Sequence, residues 1–204
     1  MDKMIYFISD THFFDKRMVH NQIFARRDFL TVNQMNEAII NSWNNVVTAN
    51  DIVYHLGDIA LIGNNRHSHE KLLELLKRLN GKIVFLKGNH DTRATFKYLQ
   101  KNNILLEDKI EKFVFEDVGI LIKHNKIQYY LTHYPLIVGP APNRINLHGH
   151  IHNSSVNMAE NINVGVDSAD LDYLMEPLNF GTPLSIEMVL KIISAKKIDF
   201  QKRR

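Results

Sequence analysis

The sequence has no cysteine. That excludes disulfides, thiolate metal sites and cysteine nucleophiles, and it suits a reducing compartment. Proline is scarce, with five in 204 residues, and no Pro-, Gly- or Ser-rich stretch marks a linker. No apolar run approaches the roughly 20 residues of a membrane span, and the run after Met1-Asp2-Lys3 is too short for a signal-peptide core. Charge of one sign is not in large excess either. The net value is +3 with histidine neutral, too little to argue for nucleic acid. Much of that surplus sits at Lys196, Lys197, Lys202, Arg203 and Arg204, which read as a solvated basic tail over 196–204. The expectation is a cytoplasmic protein with no membrane partner.

What is present is enough apolar material for one core, 45% of the chain, which suits a single domain over 1–204. Histidine is the compositional oddity, at 11 residues. Gly88-Asn89-His90-Asp91 stands directly after the apolar run Ile83 to Leu86. Other strand-like runs end in the same way. Met4 to Ile8 precedes Asp10-Thr11-His12, and Ile52 to Leu56 precedes Gly57-Asp58. Gln128 to Thr132 leads into His133, and Ile145 to Leu147 into His148-Gly149-His150-Ile151-His152. Open α/β sheets build their sites at the carboxyl ends of strands, so these groups are candidates for one common edge.

Between the runs lie helical signals. Thr31 with Gln34 makes a capping box, and Met35, Ile39, Trp43 and Val46 form one apolar face, which puts Trp43 in the core. Ser68 is a candidate cap for a helix burying Leu72, Leu73, Leu75, Leu76 and Leu79, stopped by Asn80-Gly81, with His67 and His69 expected to face solvent. A third helix is expected from Thr92 to Lys101 and a last one from Ser185 to Ala195. The alternation predicts parallel crossovers in the first half. Ile110–Phe115, Gly119–Lys123 and Ile127–Thr132 then read as an antiparallel meander. A Pro-containing loop (Pro135, Pro140, Pro142) and a strand Ile162 to Val166 follow, then an irregular stretch from Asp167 to Pro183. Two packed sheets flanked by helices is the natural reading.

The strand-end groups are Asp10, His12, Asp58, Asn89, His90, Asp91, His133, His150 and His152. Imidazole mixed with carboxylate suits Mn²⁺, Fe, Zn²⁺, Ni²⁺ or Co²⁺ better than Mg²⁺ or Ca²⁺. The set exceeds the needs of one ion. Two ions about 3.5–4 Å apart with a shared carboxylate would use it, an arrangement suited to displacement at phosphorus.

These residues, D-x-H, G-D, G-N-H-D, H and G-H-x-H in this order from Asp10 to His152, resemble the calcineurin-like metallophosphoesterase superfamily. Asn163-Val164-Gly165-Val166-Asp167 is also similar to short bacterial and phage-type members. The resemblance implies a four-layer α/β/β/α sandwich with two mixed sheets and a two-metal centre at one edge. It assigns Asp10, His12 and His152 to one ion, Asn89, His133 and His150 to the other, and Asp58 to both. It further implies His90 as general acid and Asp91 as the carboxylate that orients it. His55 and His148 lie outside the pattern and read as buried, hydrogen-bonded histidines. Phe14-Asp15 stands where close short relatives often carry Gly-His, and the resemblance places no counterpart for the stretch Ser168 to Gly181.

The function implied is two-metal hydrolysis of a phosphoester. A phosphodiester of nucleotide or cyclic-nucleotide type is favoured over a monoester, and manganese is the favoured metal. A nuclease, with nucleic acid as partner, is the less favoured alternative, and a metal-binding scaffold the least. Arg26, Arg27 and Arg144 are the candidate phosphate contacts.

Overall fold

The computed structural model describes residues 3–20, 23–107, 109–139, 141 and 143–203. Met1, Asp2, Pro140, Pro142 and Arg204, which entered the expectations for the amino terminus, the proline loop and the tail, lie outside the described residues.

The chain begins with strand β1 (Ile5–Ile8), helix α1 (Val32–Val46), β2 (Ile52–His55), α2 (Arg66–Lys77), β3 (Lys82–Leu86) and α3 (Arg93–Lys101). There follow β4 (Phe113–Glu116), β5 (Gly119–His124), β6 (Ile127–Thr132), β7 (Arg144–His148), β8 (Asn161–Asn163), β9 (Leu184–Ser185) and α4 (Ile186–Lys202). One sheet runs β4-β3-β2-β1-β9, parallel except for β9. The other runs β5-β6-β7-β8, with β5 antiparallel and the rest parallel. Both sheets are therefore mixed.

Strand periodicity sets the layers. In β1, Tyr6 and Ile8 face the cluster formed with α1, α2 and α3, while the intervening Phe7 faces the second sheet, beside Tyr129 and Leu131. Helix α4 closes the far side with Val189, Ile192 and Ile193, and reaches β1, β8 and β9. The expected α/β/β/α sandwich is the architecture. Among the described residues no helix is long and apolar enough to cross a membrane.

Local expectations mostly hold. Thr31 and Gln34 form the capping box, and Trp43 is fully buried. Thr92 and Ser185 cap α3 and α4. Four differ. Asn65, not Ser68, caps α2, because its side chain accepts from the Ser68 amide. His67 is exposed as expected, but His69 is buried with its ring 5.3 Å from Tyr98 of α3. The meander is not formed: β4 crosses over after α3 to pair in parallel with β3, where Phe113 and Phe115 pack on Phe85, and only β5 and β6 make a hairpin. The basic tail is solvated only in part. Helix α4 continues through it to Lys202 and Lys196 is buried against Asp170, while Gln201, Lys202 and Arg203 are exposed.

Candidate metal centre

Each expected ligand follows a strand, and the two sheets bring those ends to one edge. Backbone bonds from the Ser9 amide to Val164 and from the Val166 amide to Ser9 tie the sheets together at this point. The turns are sharp. Asp10, His12, Asp58, His150 and His152 all have positive φ, between 47° and 72°. Non-glycine residues hold that conformation at a cost of about 1–3 kcal/mol each, and five of them gathered at one edge mark a candidate functional site. Glycine is required where the loops cross. A Cβ at Gly88 would fall on the Asp58 carboxylate and amide, and one at Gly149 on Ser9 Oγ and Asp10 Oδ2.

The groups form two clusters. Ligand-type atoms of Asp10, His12 and His152 lie within 4.8 Å of one another, as do those of Asp58, His133 and His150. Asp58 Oδ2 stands between them, 3.6 Å from His12 Nε2 and 3.4 Å from His133 Nε2. Asn89 Oδ1 joins the second cluster, 2.9 Å from His133 Nε2.

The donor set fits cations. His133 Nδ1 lies 2.8 Å from the Leu56 carbonyl, to which it can only donate. In the neutral ring Nε2 is then a lone pair aimed at two oxygen acceptors. His12 Nε2 is buried without a hydrogen-bond partner. Converging lone pairs of this kind call for a positive charge among them, and imidazole with carboxylate suits a divalent transition metal.

The profile of the calcineurin-like phosphoesterases matches residues 3–177. The chain belongs to the calcineurin-like phosphoesterase family. It is similar to an uncharacterized protein of Methanocaldococcus jannaschii, 31% identical over 196 residues that cover 96% of this chain and 94% of that one. Its fold resembles that of a protein of unknown function from Aquifex aeolicus, with TM-score 0.61 and 23% identity over 94% of this chain and all of that chain. Family and clusters together make this a metal-dependent hydrolase of phosphoesters.

In this phosphoesterase the supporting residues differ from several expectations. Asp91, expected to orient His90, has its carboxylate engaged by backbone amides. Its Oδ2 accepts from the amides of Asp58 and Gly88 and its Oδ1 from that of Ile59, each at 2.8–3.0 Å, so it braces the two loops that carry Asp58 and Asn89. Burial pushes its carboxyl up to about 6, with those amide donors pulling against the shift. The amide of His90 donates to Asp58 Oδ1, and the half-buried His90 ring lies edge-on to His12 at 5.3 Å between centroids.

Arg27, expected as a phosphate contact, is fully buried and donates to Asp167 and to the carbonyls of Asp10 and Thr11. Arg26 is held in a surface pair with Asp172, and Arg144 begins β7 at the end remote from His150. His55 is a buried histidine as expected, with Nε2 2.9 Å from Thr11 Oγ1 and a ring kept neutral by burial. His148 is buried, with Nδ1 2.9 Å from the Gly149 carbonyl.

Sequence reasoning missed Asp167 and Asp15 as supports. Asp167 faces His152 Nδ1 at 3.2 Å, and Asp15 faces His12 Nδ1 at 3.5 Å. Carboxylates in such places orient ligand imidazoles. The Asn163–Asp167 signature was the available signal for Asp167. Asp15 lies in the very place where the chain departs from its short relatives, and nothing local marked its partner.

Proposed function

We propose that this phosphoesterase hydrolyses phosphodiesters of nucleotide or cyclic-nucleotide type at a two-metal centre. In this reading Asp10, His12 and His152 hold one ion, Asn89, His133 and His150 the other, and Asp58 both. Manganese is the favoured metal, and when bound the pair supplies charge neutralisation at phosphorus and a water of lowered pKa. The observation that carries the proposal is Asp58 Oδ2 standing between His12 and His133, with the half-buried His90 ring beside it.

The chain's own groups divide the remaining work. His90 is the proton donor to the departing ester oxygen, since an imidazole can hold and release a proton and this ring is partly open to a ligand. A poor alkoxide leaving group gains most from that proton, which favours a diester. Asn89 contributes an amide oxygen and so limits the negative charge facing an anionic substrate. Asp167 and Asp15 hold the His152 and His12 rings in their ligating orientation. We read 1–204 as one domain acting in the cytoplasm on a small substrate.

The test is hydrolysis of bis-p-nitrophenyl phosphate, p-nitrophenyl phosphate and a 2′,3′-cyclic nucleotide with Mn²⁺, Zn²⁺ or no metal. Diester cleavage that requires metal and fails in both His90→Ala and Asp58→Ala is expected. Preference for the monoester would replace the diesterase reading, and activity resistant to metal stripping would end the two-metal one.

A further inference from the structure

The ends of β3 and β6 and the turn between β4 and β5 enclose a groove of about 360 Å³. It is lined by Lys87, Asn89, Val118, His133, Tyr134 and Leu136 among others. Asn89 and His133 thus belong both to the groove and to the candidate metal cluster. We propose that this groove receives the nucleoside arm of the substrate, with an aromatic base resting against Tyr134 and Val118. The proposal rests on the nucleotide-diester reading and adds the side on which the base lies and the residues that recognise it.

The first support is apolar surface that folding does not explain. Val118 is 86% exposed, Tyr134 52% and Leu136 41%, and none of them joins either core cluster. Scattered exposed side chains need no explanation, but these line one groove that ends on a polar centre. Tyr134 is also preset. Its ring packs edge-on against His150 at 4.5 Å and His133 at 5.1 Å, and the Thr132 hydroxyl donates to its carbonyl at 2.6 Å. Little conformational freedom is left to lose when a flat ring stacks on it.

The second support is the polarity of the groove. Lys87 and Asp117 contribute opposite charges to its lining, with the Lys87 ammonium 3.2 Å from the Gly88 carbonyl. A base offers a flat apolar face together with donors and acceptors on its edge, and so uses both kinds of lining. An acyl chain would offer nothing to the polar part of the lining. The volume is sufficient for a nucleoside-sized group, at the small end of ligand sites, about 300–1,000 Å³.

The test is calorimetry on manganese-loaded protein with thymidine 5′-monophosphate and methyl phosphate, which share the phosphate and differ in the arm. The nucleotide is expected to bind about tenfold tighter, the scale of one base stacked on an aromatic ring. Tyr134→Ala should bring the two ligands within about twofold of each other. Val118→Ser, in an exposed turn that carries no candidate ligand, should narrow the gap at least by half. Equal affinities in the unaltered protein, or a gap that survives both substitutions, overturns the assignment. The diester assay is independent of this result. Diester cleavage without nucleotide preference removes the groove and keeps the diesterase, and the reverse pattern does the opposite.

Discussion

Arg27 Nε donates to Asp167 Oδ2 at 2.8 Å across 140 residues of chain, and both side chains are fully buried. The remaining guanidinium nitrogens hold the carbonyls of Asp10 and Thr11, while Asp167 faces His152 Nδ1. One cation therefore joins the turn carrying Asp10 and His12 to the loop carrying His152.

Arg27→Met leaves the Asp167 carboxylate buried without its cation. Such a break costs about 3–5 kcal/mol. The urea midpoint should fall with the slope unchanged, and metal content after gel filtration should drop with it. Arg27→Met/Asp167→Leu removes both charges and should cost clearly less than the sum of the two single changes. Additivity in that cycle would show that the pair does not act as a unit.

Asp91→Asn separates bracing from proton transfer. The amide keeps one acceptor for three backbone donors, and the loss should be about 1–3 kcal/mol of stability. His90→Asn should lower kcat while leaving the melting temperature in place. If Asp91→Asn instead shifted the pH profile of kcat without loss of stability, orientation of His90 would be its role after all.

Asp51 sets a pH response away from the site. Burial alone would raise its carboxyl, but the Thr48 amide and hydroxyl and the Met4 amide, at 2.7–2.9 Å, hold it below its ordinary range. The folded value is the lower one, so the stabilisation is complete above the unfolded pKa of about 3.9 and is lost as pH falls through the folded value. Asp51→Asn should be less stable than the unaltered protein at pH 7, and the gap should shrink below about pH 4. A gap independent of pH between 3 and 7 would contradict this.

Lys196 tests the reading of the carboxyl-terminal segment. Its ammonium reaches both oxygens of Asp170 at 2.9 and 3.0 Å, the Asn161 carbonyl at 2.7 Å and Ser155 Oγ at 2.9 Å. Asp170 in turn accepts from the Asn163 amide. Lys196→Met should cost about 3–5 kcal/mol, against nearly nothing for the exposed Lys191→Met of the same helix. Equal effects in thermal unfolding would return Lys196 to a solvated tail.

The residues of the two clusters, the capping box of α1 and most strands were legible in the sequence because each depends on a short segment. An apolar run names a strand, a polar residue after it names a candidate, and Thr31 with Gln34 is a complete local signal. Nothing local could set the partners. β4 pairs with β3 across the α3 crossover instead of with its neighbour in sequence, because Phe113 and Phe115 find Phe85 there. In sequence Arg27 reads as a candidate phosphate contact and Lys196 as part of a solvated tail, until Asp167 and Asp170 are brought to them. Charge in a sequence has no address. The folded chain decides which cations are withdrawn from water, because only a buried counter-charge with satisfied hydrogen bonds can offset their desolvation.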